Sequence, residues 1–529
     1  MGYAHDYAAA IMRRGRVPMP PADHVPNWAD APRKTKFYPG ADRLPLPDGD
    51  YPAEAALDAG LGLAEPPVEA GPFDLPALSG MLRDSYGLTG RRLGVQANTD
   101  LSALPSYPLA NWSRGTASGG GLYPVSVYWV SGASGPVAPG VHYYATRHHA
   151  MQRLLTGDVT GEVRAALGQG APGPDLTDQY LVLGVKYWQN AFKYNSFSFH
   201  AVSMDIGTVL QTWRMWARAR GLEIEPALWF DEERLARLLC VRSVEEGVFA
   251  VVPLRWKGTP KAAAPVGASV RRFDVERSRT VLTFEAVAGM QAATSRRAAD
   301  RPTAAALAQA AVEPPRAESD EVRLPAPRPL HADVRTALRH RRSSFGRFDA
   351  QRPLSLDQLT ACLAAATSAS RLGGDTRGAE DASLARLYVF ANHVEGLAPG
   401  SYAYDPDAGA LRPVKEGRPG AFLQQNYFLA NYNLEQAGAV LVPAMRTTAV
   451  LDAVGDRGYR LVGATIGAVS QAVYTASAAM DLGCGVALGF DNISYIEELG
   501  LDGTGESPLL IMLIGNERPV PADFRYEIA

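Results

Sequence analysis

Helical hydrophobic spacing is strongest in two segments of the chain, Phe199 to Arg220 and Tyr459 to Asp481. Apolar residues recur there every three to four positions, as on the buried face of an amphipathic helix. The pattern predicts two long helices, and we expect Gly221 and Gly483 to end them in the left-handed conformation. A further helix is predicted from Leu75 to Ser85.

Short apolar runs bounded by turn residues predict strands in both halves of the chain. The runs are Val125 to Val130, Leu181 to Lys186, Leu387 to Phe390 and Pro508 to Ile514. Residues 139–155 and 399–414 each indicate a Pro-Gly turn, a tyrosine-containing strand and a second turn. Helices combined with few strands favour an α+β fold.

Many of these features recur at a constant interval of 260 positions. Self-similarity of such a long period indicates two whole domains rather than short solenoid repeats. We therefore expect a tandem duplication, with two homologous α+β domains packed face to face as a pseudo-dimer within one chain. The equivalent pairs are Tyr128 and Tyr388, Pro139-Gly140 and Pro399-Gly400, Gly207 and Gly467, Gln211 and Gln471, and Phe230-Asp231 and Phe490-Asp491.

Composition shifts divide the chain into four parts. Residues 1–74 are rich in proline and polar groups and predict an N-terminal arm that orders on another surface. Residues 75–257 and 331–529 form the two predicted domains. Residues 258–330, rich in Ala, Pro and Arg, predict a linker between them.

Bulk properties exclude several classes of protein. The 529 residues are 47% hydrophobic and 20% charged, as in ordinary globular proteins, and a net charge of −3 gives no reason to expect nucleic acid binding. Three cysteines without metal-ligand spacing predict neither a disulfide framework nor a metal site. No segment predicts a membrane span or a secretion signal, so we expect a cytoplasmic protein.

A glycine run in the first half is the strongest candidate for ligand binding. Ser118, Gly119, Gly120 and Gly121 follow Arg114 and lead into the first predicted strand. Because glycine lacks a Cβ, this backbone can approach a planar or phosphorylated ligand closely. The run does not have the Walker or dinucleotide-binding spacing, and a flexible turn is the alternative.

Two polar clusters complement the glycine run. Arg341, Arg342 and Ser343 end a predicted helix in the second half, where they would bind a phosphate or simply complement the helix dipole. Lys193 and Tyr194 precede the first long helix and would act as a general base beside an electron acceptor, or lie on the surface. The second half has Ala and Val at the positions equivalent to Lys193 and Tyr194, and it lacks the glycine run. These complementary losses predict one site assembled from both halves.

With these residues, the sequence resembles the nitroreductase-like flavoproteins, and among them the SagB/ThcOx-type azoline dehydrogenases. The resemblance rests on Arg114 with Ser118 to Pro124, on Ala191 to Tyr194 leading into Asp205 to Gly207, and on Arg341 to Ser344 with Gly489 to Asp491. It implies two nitroreductase-like domains with FMN bound between them.

The resemblance also implies roles for individual residues. Arg341, Arg342 and Ser343 would hold the phosphate and ribityl groups of FMN, and Arg518 is a further phosphate candidate. Arg114 and Ser118 to Gly121 would complete the cofactor site from the other domain, with the backbone of Gly489 at the flavin edge. Lys193 and Tyr194 would be catalytic. A second site would need Arg83 and Ser85 with the loop from Ser370 to Asp375, and it looks degraded.

The implied reaction is oxidation of a thiazoline, an oxazoline or a related heterocycle to the aromatic azole in peptide natural-product biosynthesis. A ribosomal peptide, a peptide tethered to a carrier protein and a small molecule all stay open as substrates, and so does membership of a biosynthetic complex. Two alternatives stay open as well. One is an NAD(P)H-dependent nitro or quinone reductase, and the other is a flavin-free scaffold subunit of a peptide-modifying complex.

Overall fold

The computed structural model describes residues 2–49, 55–66, 71–96, 106–296, 298–313, 315, 321–376, 383–519 and 524–528. The α-helices are α1 (Tyr3–Arg13), α2 (Leu57–Leu61), α3 (Leu75–Ser85), α4 (Thr160–Leu167), α5 (Trp188–Tyr194), α6 (Ser198–Arg218), α7 (Glu232–Leu239), α8 (Glu285–Ser295), α9 (Ala304–Ala308), α10 (Val334–His340), α11 (Leu356–Ala369), α12 (Gly420–Gln425), α13 (Thr447–Val454), α14 (Gly458–Ala479) and α15 (Asn492–Glu498). The strands are β1 (Arg43–Pro45), β2 (Gly90–Gln96), β3 (Ser106–Ser113), β4 (Val125–Ser131), β5 (Gly140–Ala145), β6 (Ala150–Thr156), β7 (Gln179–Lys186), β8 (Glu246–Pro253), β9 (Val322–Arg323), β10 (Ala385–Ala391), β11 (Gly400–Asp405), β12 (Ala410–Glu416), β13 (Ala439–Met445), β14 (Gly483–Ala487), β15 (Ser507–Pro508), β16 (Ile511–Gly515) and β17 (Phe524–Glu527).

Two antiparallel sheets share one strand order. The first runs β6-β5-β4-β7-β8 and the second β12-β11-β10-β13-β16, and each gains a short N-terminal strand, β1 or β9, at the same edge. The second sheet also pairs β14 with β16 and β15 with β13. The predicted α+β fold of two domains packed within one chain is confirmed.

The strand register repeats as closely as the strand order. Tyr128 lies opposite Tyr143 in β4 and β5, and Tyr388 lies opposite Ala403 in β10 and β11. A β-bulge interrupts β5 and β11 at equivalent positions. A bulge adds a residue to one strand and re-aims the side chains beyond it, so both sheets have the same local twist at that point.

The two long helices cross at glycines. Gly207 of α6 faces the backbone oxygen of Ala464, and Gly467 of α14 faces that of Met204, so closely that a Cβ at either glycine would collide. Both predicted helices are present, because each has an apolar surface broad enough to be buried against the other domain.

The predicted ends of these helices differ in outcome. Gly221 adopts the left-handed conformation after α6, with φ +65°, as expected. The prediction for Gly483 is wrong, because this residue lies in β14 and the left-handed position after α14 is Asp481, with φ +55°. An aspartate tolerates this conformation because its short polar side chain bonds locally.

Buried charges also join the domains. Glu232, at the start of α7 in the first domain, forms ion pairs with two arginines of the second domain. Its Oε2 lies 2.8 Å from Arg457 Nη1 and 3.0 Å from Arg460 Nη1. All three side chains are buried. Because removing one partner would leave an uncompensated buried charge, this cluster ties the two domains to one relative position. The C-terminal strand β17 adds a second tie by pairing with β2.

The arm and the linker both lie on the domains. The arm places α1 against α8, α13 and α15. Within residues 258–330, α8 buries Val287 and Met290, so this part of the linker packs as part of the core. None of the helices described is long and apolar enough to cross a membrane.

Candidate functional site

The glycine run forms one tight turn that α6 holds in place. Gly120 and Gly121 have φ of +62° and +64°, a backbone conformation that other residues adopt only with strain. Asp205 of α6 accepts the Gly119 N–H at 2.8 Å and the Ser118 hydroxyl at 2.6 Å. The Ser118 oxygen in turn accepts the N–H of Tyr123 at 2.9 Å. The turn is therefore fixed at both ends while Gly120 remains exposed.

Lys193 and Tyr194 lie directly against this turn. A Cβ built on Gly120 would be 2.9 Å from Lys193 Nζ and would collide with the Tyr194 hydroxyl. Lys193 Nζ lies 4.7 Å from the centroid of the Tyr194 ring, and both side chains are half-buried. The structure thus brings together two motifs that are about 70 residues apart in the sequence.

Arg341 of the second domain contacts the segment that precedes the glycine turn. This residue ends α10, and it donates from Nε to Gly115 O at 2.7 Å and from Nη2 to Arg114 O at 2.9 Å. Gln471 of α14 accepts the Ala117 N–H at Oε1, at 2.9 Å, and donates from Nε2 to Gly115 O at 3.1 Å. The segment leading into the glycine turn is therefore held by the other domain.

Aromatic side chains lie beside Arg341 and Ser343 in the second domain. Ser343 Oγ lies 2.9 Å from the Tyr474 hydroxyl, and the Arg341 guanidinium lies 5.2 Å from the centroid of the Tyr474 ring. The Tyr432 ring follows, 6.1 Å from the ring of Tyr427. Burial raises the pKa of Tyr427 to about 12, and the phenol of Tyr194 contributes to the same shift. Tyr474, Tyr432 and Tyr427 therefore form an aromatic wall in the second domain beside Arg341 and Ser343.

Arg114 contributes a buried positive charge behind the turn. Its guanidinium lies 4.1 Å from the centroid of the Tyr123 ring and 4.7 Å from that of Tyr86, and Nη1 is buried without a hydrogen-bond partner. Among the described residues, no carboxylate pairs with Arg114 or with Arg341. The pKa of Lys34, in the arm, is lowered by desolvation and then by the charges of Arg114 and Lys193. Positive charge therefore accumulates here without compensation.

Two predicted phosphate ligands have other partners. Arg342 forms a two-point ion pair with Glu517, with Nη1 at 2.8 Å from Oε1, so its charge is already neutralised. Arg518 is exposed and donates to Gln436 Oε1 at 3.1 Å. Of the predicted second-domain set, Arg341 and Ser343 are the members with contacts on the aromatic wall.

Gly489 lies on a second turn. The N-terminal arm contacts both this turn and the segment that follows Lys193 and Tyr194. The Gly489 carbonyl accepts the Phe428 N–H at 2.8 Å. Arg14 of the arm donates to the carbonyl of the adjacent Leu488, and its guanidinium lies 4.7 Å from the ring centroid of Phe197. Because Phe197 closely follows Tyr194 in the chain, Arg14 links the Gly489 turn to the segment that carries the Lys-Tyr pair.

The arm also braces α5 itself. His24 Nε2 is 2.8 Å from Phe192 O, the Trp28 ring packs edge-on against Phe192 with centroids 4.9 Å apart, and Gln189 Nε2 donates to Arg33 O at 2.8 Å. These contacts come from one continuous stretch of the arm. They fix the helix that presents Lys193 and Tyr194.

The counterpart site is filled by side chains. Ser85 donates to Met81 O at 2.6 Å and accepts Trp213 Nε1 at 2.9 Å. Trp229, which is 1% exposed, stands at the position equivalent to Gly489, and Asp375 accepts its N–H at 2.9 Å. Arg83 pairs with Asp48 of the arm. The residues named for a second site are thus engaged in protein contacts.

Sequence reasoning alone did not assign a role to several of these residues. Gln471 appeared only as a repeat position, and Asp205 only within a motif. Comparison across the 260-residue interval contains a usable signal, because Tyr474 replaces Arg214 and Gly489 replaces Trp229 at equivalent positions. Such unequal pairs mark where the two candidate sites diverge.

The fold is that of a two-domain α+β protein, and the candidate site residues of both domains lie where the domains meet. Comparison with known proteins gives a family match for the second domain. Residues 338–516 match the nitroreductase family. The match lies within the second domain, and members of that family are oxidoreductases that typically bind flavin. No curated protein matches the sequence.

Solved structures extend the likeness to both domains. A protein of Anabaena variabilis ATCC 29413 assigned as a nitroreductase aligns with a TM-score of 0.73 at 20% identity, covering 98% of this chain and 100% of its own. At that identity the likeness shows the fold. A Ralstonia eutropha JMP134 protein with the same assignment gives a TM-score of 0.30 at 21% identity over 40% of this chain and 95% of its own. The E. coli microcin synthetase McbBCD complex, with truncated pro-MccB17 bound, gives 0.29 at 17% identity over 34% of this chain and 69% of that chain.

Proposed function

We propose that this chain is an FMN-dependent dehydrogenase that oxidises a thiazoline, an oxazoline or a related amino-acid-derived heterocycle to the aromatic azole in peptide natural-product biosynthesis. The observation that supports it most is the position of Lys193 Nζ and the Tyr194 hydroxyl against Gly120. A base and a phenol stand at a glycine turn whose next residue, Gly121, leaves room for a planar ring.

The residues of the site fit FMN in shape and in charge. A Cβ at Gly121 would meet nothing within 4 Å, so this part of the turn is open to a flat ring. Arg341 and Arg114 are buried cations without a carboxylate partner among the described residues, and a bound anion would compensate them. Arg341 and Ser343 would hold the phosphate and ribityl groups, and the turns at Gly120 and Gly489 would flank the ring system.

The Lys-Tyr pair suits the removal of a proton from an azoline. The imine of the heterocycle acidifies the adjacent carbon–hydrogen bond. Lys193 or Tyr194 would take that proton, and the electron pair left behind would form the new carbon–carbon double bond as hydride leaves the neighbouring carbon. FMN, when bound, supplies the hydride acceptor. The arm residues around α5 would hold the base in place.

One cofactor per chain follows from the asymmetry of the two sites. Trp229 occupies the position of Gly489 and Ser85 is bonded to Trp213 and Met81, so the counterpart site is closed to a flavin. A duplication in which one site kept the cofactor and the other became packing would account for both halves.

The test is turnover of a synthetic thiazoline ester, methyl 2-phenylthiazoline-4-carboxylate, by protein loaded with FMN. Lys193→Ala should lower the rate of azole formation by about 10²–10⁴-fold while the protein keeps its yellow colour. The matched control is Lys257→Ala, which removes an exposed lysine of the same domain and should leave the rate unchanged.

Two results would contradict the proposal and favour an alternative. Bleaching of the flavin by NADPH, with nitroaromatic reduction intact in Lys193→Ala and no azole formed, would indicate a reductase. A colourless protein that takes up no added FMN would indicate a scaffold.

A further inference from the structure

Asp205 is a buried carboxyl group whose hydrogen bonds all go to the glycine turn. It is 4% exposed, and its two oxygens accept the Ser118 hydroxyl and the Gly119 N–H. Among the described residues, no Lys, Arg or His forms an ion pair with it. A buried carboxyl group without a cation is costly in its charged form, so its presence here requires a local explanation.

The second domain shows that the fold does not require this carboxyl group. The position equivalent to Asp205 in α14 is Thr465, which is 1% exposed. The two helices cross each other at the equivalent glycines Gly207 and Gly467. The carboxyl group is therefore present in the domain that has the glycine run and replaced in the domain that lacks it.

Among the described residues, no other side chain of α6 forms a hydrogen bond with the turn from Ser118 to Gly121. Thr208 Oγ1 donates to Ala117 O at 2.9 Å, before the glycines begin. From Ser118 to Gly121 the other described hydrogen bonds run from the Gly121 N–H to Ser118 O at 2.9 Å, from the Leu122 N–H to Gly119 O at 3.3 Å, and from the Tyr123 N–H to the Ser118 hydroxyl oxygen at 2.9 Å. Without Asp205, the glycine turn would lose its two hydrogen bonds to α6, and the backbone of its three glycines would be less restricted.

We propose that Asp205 is a positioning residue that sets the conformation of the Ser118–Gly121 turn and thereby the place where the flavin ring and the Lys-Tyr pair meet. The consequence for the cofactor rests on the proposed function, whereas the consequence for the turn does not. Among the described interactions, Asp205 forms no hydrogen bond or ion pair with Lys193 or Tyr194, so its effect would pass through the backbone of Gly119 and Gly120.

The substitution Asp205→Thr tests this with the residue that the second domain already accommodates. Threonine removes both acceptor oxygens at the turn but suits a buried helix position of this kind. Asp205→Asn is the conservative variant, because its amide oxygen still accepts the Gly119 N–H. Asp178→Thr is the matched control, since Asp178 is also fully buried and accepts the Ser134 N–H at 2.9 Å in another turn of the same domain.

The first measurement is amide hydrogen exchange over residues 115–123 in the full chain. Asp205→Thr should speed exchange there by about tenfold or more, Asp205→Asn should restore much of the protection, and Asp178→Thr should leave the segment unchanged. Unchanged exchange in Asp205→Thr would overturn the proposal. Equal loosening in Asp178→Thr would also overturn it, because the effect would then be a general loss of stability.

The second measurement is equilibrium binding of FMN, followed by flavin fluorescence. Asp205→Thr should weaken binding by about tenfold, and Asp205→Asn should recover most of it. A loosened turn with undiminished FMN affinity would uphold the positioning of the turn but contradict its role in holding the cofactor. Failure of the proposed function is therefore distinguishable from failure of this inference.

Discussion

Gly207 and Gly467 occupy equivalent points on two crossing helices, and each faces the backbone of the other helix. A Cβ at Gly467 would collide with the backbone oxygen of Met204, and one at Gly207 with that of Ala464. The two contacts are related by the same 260-residue interval. The crossing is therefore symmetric, although the two candidate sites beside it are not.

Replacing Gly467 by alanine should destabilise the chain. The added methyl group has no space at the crossing, so α6 and α14 must move apart, at a cost of about 1–3 kcal/mol in the free energy of unfolding. Denaturant unfolding followed by circular dichroism would measure the change. Gly420→Ala is the control, because a Cβ there meets no atom closer than 3.4 Å. Equal stability of Gly467→Ala and wild type would contradict the close crossing.

The sequence predicted the fold well because the repeat and the apolar periodicity are properties of whole elements. The helix predicted at Leu75–Ser85 has those bounds in the structure, and both long helices lie within two residues of prediction at their starts. The failure at Gly483 has a local cause. A glycine near a helix end also suits a buried strand, and here the side chains of Glu517 and Ser344 occupy the space that a Cβ on Gly483 would need.

The site was predicted in its parts but not in its contacts. Sequence singled out Ser118–Gly121, Lys193 and Arg341, yet nothing in the sequence shows that Gly120 touches Lys193 or that Arg341 donates to Gly115. Nor can a charge pattern show that Glu517 neutralises Arg342, because that pairing depends on long-range packing.

Opening the counterpart site should cost stability without creating a second cofactor site. Trp229→Gly removes a side chain that is 1% exposed, and we expect a loss of about 3–5 kcal/mol in the free energy of unfolding. FMN should still saturate at one per chain, because Ser85 remains bonded to Trp213. Unfolding and flavin titration would measure the two effects. Binding of a second FMN by this variant would show that Trp229 alone closes the counterpart site.

Loosening the arm should impair turnover more than flavin binding. In Trp28→Ala the edge-on packing on Phe192 is lost, so α5 can shift and the rate of azole formation should fall by about 10–100-fold. Val25→Ala, at an 82% exposed position of the same arm, is the control. Steady-state rates and flavin absorbance would be compared for both. A Trp28→Ala enzyme that loses FMN but keeps its rate per bound flavin would contradict a role for the arm in holding the base.

The contribution of Asp205 to the stability of the chain should fall as the pH rises from about 4 to about 7. Burial raises the pKa of Asp205 to about 7, whereas an aspartate in the unfolded chain has a pKa of about 3.9. Below pH 4 both states hold the proton. Between the two pKa values only the folded state holds it, so each rise in pH favours unfolding, by up to about 4 kcal/mol in total.

The variant Asp205→Asn isolates this contribution, because its amide does not titrate. Urea unfolding at a series of pH values should show the free energy of unfolding of wild type falling relative to that of Asp205→Asn between pH 4 and 7. Parallel pH profiles for the two proteins would show that Asp205 is ionised at neutral pH.

The most direct test of the account is titration of the apoprotein with FMN, followed by flavin fluorescence, in wild type and in Arg341→Ala. We expect wild type to saturate at one FMN per chain. Arg341→Ala should bind FMN about 10–100-fold more weakly, because a charged hydrogen-bonding group is lost from the site between the two domains. Saturation at two per chain, no binding at all, or equal affinity in the two proteins would contradict a single FMN site shared by both domains.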